Sequence, residues 1–167
     1  MILSRLAKSA LAPRVAHAHC DIPCGIYDPY AAQIAALTCI RMNQLIQGLK
    51  KPAANAPDQE REVYMASLGR YIAAKEEHAE LCKREIRVIW GDYFRPEHIQ
   101  ANPTLHDKVF QVMKQGSRVR QNVDAQAAQD LLKAVQDVAE IFWATKNVKT
   151  TRKPSNQAVG GELVVPA

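Results

Sequence analysis

His19, Cys20 and Cys24 place one imidazole and two thiols within six residues, in the run His19-Cys20-Asp21-Ile22-Pro23-Cys24-Gly25-Ile26-Tyr27. Thiolate and imidazole are donors for transition metals rather than for magnesium or calcium. Pro23 restricts the backbone, and Gly25 opens dihedral angles closed to other residues. A segment built this way can curl into a hook that brings both sulfurs onto one ion. Its spacing differs from that of structural zinc sites, which pair two short ligand couples at a distance. No second Cys/His couple is present, because His78, His98 and His106 are scattered.

A cut between Ala18 and His19 would make His19 the amino terminus. The segment would then offer a free amine and an imidazole beside the amide nitrogen and thiolate of Cys20. With the Cys24 thiolate, two nitrogens and two sulfurs would surround a metal in a plane. That set suits Ni(II) or Cu(II) rather than zinc, and the imidazole remains for an axial position. Such a site is a one-electron redox centre. Spacing alone leaves other uses open: a Cys20–Cys24 disulfide, a soft-metal carrier segment, or no metal role. The other two cysteines, Cys39 and Cys82, sit in helical patterns and read as small buried hydrophobes.

The elements that must position this segment are helical. Asp28-Pro29 marks a capped helix start, with Thr38, Met42, Leu45 and Leu49 following at helical spacing. A second helix runs from Asp58 to about Trp90, with a stripe through Tyr64, Leu68, Tyr71, Ile72, Ala79, Cys82, Ile86 and Ile89. Residues 91–103 read as a connection. Leu105, Val109, Val112 and Met113 mark a third helix ending near Gly116. Leu131, Val135, Val138 and Phe142 mark a fourth ending near Lys146. The expected fold is all-α, an antiparallel up-and-down four-helix bundle with an N-terminal metal-binding hook. The pattern divides the chain into a leader (1–18), a bundle (19–150, hook 19–27) and a mobile tail (151–167) without periodicity.

Charge and hydropathy narrow the partners. The net charge of +5 is uneven. Residues 1–18 contribute +3 and residues 151–167 contribute +1, leaving +1 for the body. A nearly neutral body lacks the concentrated basic face that nucleic acid requires. No apolar run reaches the roughly 20 residues of a membrane span. The leader ends in Ala16-His17-Ala18, a small-x-small pattern of the kind processing peptidases cut after, and lacks the unbroken apolar core of a secretory signal. A cytoplasmic location is expected, with organellar targeting or export by the leader left open.

The run from His19 to Pro29 resembles the amino-terminal hook of nickel superoxide dismutases, H-C-x-x-P-C-G-x-Y-x-P. Two later blocks extend the resemblance. Trp90-Gly91-Asp92-Tyr93-Phe94-Arg95-Pro96 is similar to the family's W-x-D-Y-F-K/R-P, and Ile141-Phe142-Trp143-Ala144-Thr145-Lys146 to its I-F-W-x-T-K. Together they span about residues 19–147. The resemblance implies a precursor whose leader is removed by a processing protease, and a homohexamer of four-helix bundles with one nickel ion per subunit. It implies ligation by the His19 amine and imidazole, the Cys20 amide nitrogen and thiolate, and the Cys24 thiolate. Superoxide would be the substrate. Tyr27 and Tyr93 would stand at the open face, Asp21 would help hold the hook, and Arg95 is a candidate to steer the anion. One departure stands out. The glutamate and arginine that support the hook histidine in well-known members are replaced by Ala35 and His78. His78 then offers either a supporting contact to that imidazole or an ordinary solvated side chain.

Overall fold

The computed structural model describes residues 25–167, so His19, Cys20, Asp21 and Cys24 lie outside the described residues. Four long helices carry the fold: α1 (Tyr30–Gly48), α2 (Asp58–Val88), α4 (Leu105–Gln121) and α5 (Ala125–Thr145). A short helix α3 (Pro96–Ala101) and a π-helical turn (Ile89–Tyr93) lie between α2 and α4. Each long helix packs against two others, α1 on α2 and α5, and α4 on α2 and α5, closing a four-helix bundle. Among the described residues no helix is long and apolar enough to cross a membrane.

Local chemistry accounts for the helix ends. The Asp28 carboxylate accepts the Tyr30 N–H at 2.8 Å, and Pro29 opens the turn. Asp124 accepts the Ala127 N–H at 2.9 Å at the start of α5, while Arg118 from the end of α4 reaches the same carboxylate at 2.6 Å. Three residues therefore suffice to turn α4 into α5. The core joins Ala35, Ala36, Cys39 and Ile40 with Ala79, Cys82 and Ile86, and these with Leu105, Val109, Val112 and Val119 of α4 and Leu131, Val135, Val138 and Phe142 of α5.

The structure corrects several expectations. The buried face of α1 joins the small residues Ala32, Ala35, Ala36 and Cys39 with Leu37 and Ile40, whereas Thr38, Met42, Leu45 and Leu49 are half-buried. In α2 the fully buried stripe begins only at Lys75, and Tyr64, Leu68, Tyr71 and Ile72 are half-buried. The third long helix does not end near Gly116 but continues to Gln121. A Cβ at position 116 would lie 2.7 Å from Lys83 Cγ, so this glycine admits a neighbouring helix rather than stopping its own.

The largest correction concerns residues 151–167, expected as a mobile tail. They form most of an antiparallel β-hairpin, β1 (Thr150–Pro154) with β2 (Glu162–Pro166), in register Arg152 opposite Val164. Gly160 and Gly161, at φ +71° and +78°, supply the left-handed backbone of its turn. Leu163 and Val164 are adjacent yet both buried, so the strand shows no two-residue alternation. The buried Gln33 side chain accepts the Val164 N–H at 2.7 Å and donates to the Val164 carbonyl at 3.0 Å. Its amide thus pairs with β2 as a neighbouring strand would. Arg152 adds bonds to Gln136 at 3.0 Å and Glu140 at 2.8 Å on α5.

Candidate functional site

The site begins where the described chain begins. Gly25 has φ +74°, a backbone state that L side chains adopt only under strain, so glycine suits the position directly after Cys24, the last predicted ligand. Two residues later Tyr27 packs its ring 5.6 Å from that of Tyr93. The two predicted gate tyrosines, 66 positions apart in the chain, are therefore neighbours. An open cleft of about 340 Å³ is lined by Gly25, Tyr27, Asp92, Tyr93, Arg95, Glu97 and His98.

The π turn builds the cleft's other wall. The Phe94 N–H bonds to the Ile89 carbonyl at 3.2 Å, five residues back, and closes the widened turn. Arg95 is extended, as expected of a residue before proline, and Pro96 starts α3. One turn into α3, His98 Nδ1 accepts the Arg95 N–H at 3.2 Å. That bond holds the imidazole flat on Tyr93, with centroids 5.5 Å apart and planes 18° from parallel. A second support is Phe142 of α5, whose ring is tilted against Tyr93 with centroids 4.8 Å apart.

The end of α5 completes the site. The Tyr93 hydroxyl lies 2.8 Å from Thr145 Oγ1, and Thr145 Oγ1 donates to the Phe142 carbonyl at 2.7 Å. The Lys146 ammonium stands 5.3 Å from the Tyr93 ring centroid and 4.8 Å from that of Phe142, within range of a cation–π attraction. Arg95 and Lys146 are thus two cations beside one aromatic cluster. Sequence reasoning named Tyr27, Tyr93 and Arg95 but assigned no role to Thr145, Lys146 or His98. The blocks containing Thr145 and Lys146 carried the only signal. No periodicity links them to Tyr93.

The remaining candidates fall elsewhere. His78 is half-buried on α2, its Nδ1 donating to the Ala74 carbonyl at 2.8 Å, and Ala35 is buried. Contact between His78 and the His19 ring lies outside the described residues. Cys39 and Cys82 are free, fully buried thiols, as expected of structural cysteines. Burial pushes the Cys39 thiol up to about 12 and raises that of Cys82 well above its ordinary value, so neither offers a thiolate. Among the described residues no group of three or more His, Cys, Asp or Glu side chains could hold a metal. The donor set of the preceding segment, one imidazole and two thiols, does fit a thiophilic redox metal. Gly25 and Tyr27 lead directly from it into the cleft.

Comparison with known proteins identifies the family. A family model described as nickel-containing superoxide dismutase matches residues 14–146, ending before β1. A curated protein of Streptomyces seoulensis, "Superoxide dismutase [Ni]", is 34% identical over 146 residues, covering 87% of this chain and 98% of its own length. One of the same name from Streptomyces coelicolor is also 34% identical with the same coverage. A crystal structure of a nickel-containing superoxide dismutase, with nickel ligation corresponding to the oxidised state, superposes with a TM-score of 0.67 at 31% identity. It covers 77% of this chain and 99% of that one. With the family model matching residues 14–146 and the curated relatives covered almost end to end, the chain belongs to the nickel-containing superoxide dismutase family.

Proposed function

We propose that the chain disproportionates superoxide at a nickel ion held by residues 19–27 once residues 1–18 are removed. The observation that carries the reading is the junction at Gly25 and Tyr27, which joins a segment bearing an imidazole and two thiols to a cleft walled by Tyr93 and Arg95. The His19 amine and imidazole, the Cys20 amide nitrogen and thiolate, and the Cys24 thiolate would hold the metal. Nickel bound there supplies the one-electron Ni(II)/Ni(III) couple on which disproportionation depends. Two superoxide anions and two protons become one dioxygen and one hydrogen peroxide.

The chain's own residues do the rest. Arg95 draws the anion toward the cleft, with Lys146 adding positive potential to the same aromatic cluster. Tyr27 and Tyr93 order water at the mouth and narrow it against larger anions. Asp21 holds the hook by hydrogen bonds. A homohexamer in the cytoplasm, matured by a processing protease, completes the proposal. The test is amino-terminal sequencing, bound-metal analysis and pulse radiolysis on the native protein. Stoichiometric nickel, a chain beginning at His19 and rapid superoxide decay are expected. Full activity with Met1 retained would sink the processed-hook reading. Bound nickel without turnover would instead indicate a metal carrier.

A further inference from the structure

A carbonyl oxygen only accepts hydrogen bonds, so the proton in the 2.7 Å contact between Thr145 Oγ1 and the Phe142 carbonyl belongs to Thr145. A threonine hydroxyl has one proton. Toward Tyr93, 2.8 Å away, Thr145 Oγ1 can therefore only accept, and the phenol must donate. The chain of bonds runs one way, from Tyr93 through Thr145 to the backbone of α5. The ring cannot escape this arrangement by moving, because His98 stacks against it at 5.5 Å and Phe142 packs against it at 4.8 Å. The phenolic oxygen keeps only its lone pairs for anything else it meets.

We propose that Thr145 is a positioning residue that commits the Tyr93 proton to α5, so that Tyr93, a residue of the cleft lining, withholds that proton from inhibitory anions such as azide. This rests on the reading of the cleft as the dismutation site. A phenol with its proton committed elsewhere cannot donate to an anion such as azide. It can accept a bond from water, which then presents its second proton to the substrate. Tyr93 thus orients a proton-bearing water without being the proton donor. A threonine hydroxyl bonded back to its own helix is also a common local motif with no functional consequence. The experiment must therefore separate action through Tyr93 from local packing.

The experiment uses the processed, nickel-loaded enzyme in five forms: wild type, Thr145→Val, Thr145→Ser, Tyr93→Phe and the Tyr93→Phe/Thr145→Val double variant. Nickel per chain, melting temperature, superoxide decay and azide inhibition are measured on each. Thr145→Val frees the phenol proton to turn toward the cleft, and azide inhibition should tighten about fivefold, equivalent to ~1 kcal/mol. Thr145→Ser should behave as wild type. In the Tyr93→Phe background the valine substitution should change azide inhibition no further. Unchanged azide inhibition in Thr145→Val, or an equal effect with and without Tyr93, would overturn the proposal. If the valine variant does not fold, Thr145→Ala removes the same hydroxyl and carries the same two criteria. Wild-type enzyme with nickel but without dismutation would instead refute the underlying assignment of the site.

Discussion

Tyr27 and Tyr93 illustrate the division of labour at the scale of single residues. Their rings sit 5.6 Å apart at the cleft, yet neither is a proposed metal ligand. Phenylalanine at either position should leave nickel bound and change superoxide decay by up to about tenfold, the equivalent of one hydrogen bond. Pulse radiolysis and metal content measured on the same samples check this. Loss of nickel from the Tyr27 variant would assign its hydroxyl to the hook instead. The thiols are different in kind. Serine at Cys20 or Cys24 replaces a soft thiolate with a hard, weakly basic hydroxyl. Dismutation should be abolished while the helical circular dichroism is kept, because the segment precedes the first core helix. Retained turnover with bound nickel in either variant would contradict the ligand assignment.

Among the elements, the hairpin has the clearest energetic signature. β2 is hydrogen-bonded to α1 through the Gln33 side chain, which satisfies both the N–H and the carbonyl of buried Val164. Gln33→Leu would keep the bulk and leave two buried backbone groups unpaired. The expected cost is about 2 kcal/mol, near the lower end for two orphaned groups. For a chain of this size it should lower the melting point by roughly 4–8 °C in calorimetry. An unchanged melting point would mean that water replaces the amide and that the clamp is dispensable. The π turn is the other decisive element. It carries Tyr93 into the cleft and leaves Arg95 extended as the residue that precedes α3.

Across the whole molecule, polar contacts between helices complement the apolar core. Lys75 of α2 is 2% exposed and caps the end of α4, donating to the carbonyls of Val119, Arg120 (3.2 Å) and Asn122 (2.6 Å). A cation at a helix C-terminus also complements the helix dipole. Asp137 of α5 bonds Lys108 of α4 at 2.6 Å, with Lys133 at 3.3 Å. Burial alone would raise the Asp137 carboxyl; the Lys108 bond and the charges of Lys108 and Lys133 outweigh it and hold the group below its ordinary 3.8. A carboxyl depressed in the folded state contributes stability above its unfolded value. That contribution is lost as pH falls through the folded value. Asp137→Asn should therefore cost about 0.5–1 kcal/mol at neutral pH. Its melting point should approach that of wild type as pH drops below about 3.8. A difference that does not shrink in acid would show that Asp137 acts through packing.

The hook could be proposed from the sequence because its candidate donors lie within six consecutive residues, and a contiguous segment can be read without knowing how the chain folds. The helices were legible because each buries one face, which leaves a period of 3.6 in residues such as Leu131, Val135, Val138 and Phe142. Sequence blocks also named Tyr93 and Arg95, through a resemblance rather than through any pattern of spacing. What brings Tyr27 against Tyr93, and Tyr93 onto Thr145, is the closing of the bundle, which joins residues 66 and 52 positions apart. The hairpin escaped for a related reason. Its strands are five residues long, and both Leu163 and Val164 are buried, so the two-residue period that marks a half-exposed strand is absent. Gly116 read as a helix end because glycine is a poor helix former, yet the close approach of Lys83 on α2 gives the missing side chain its purpose. Periodicity records which face of an element is dry. Only tertiary packing decides what that face meets.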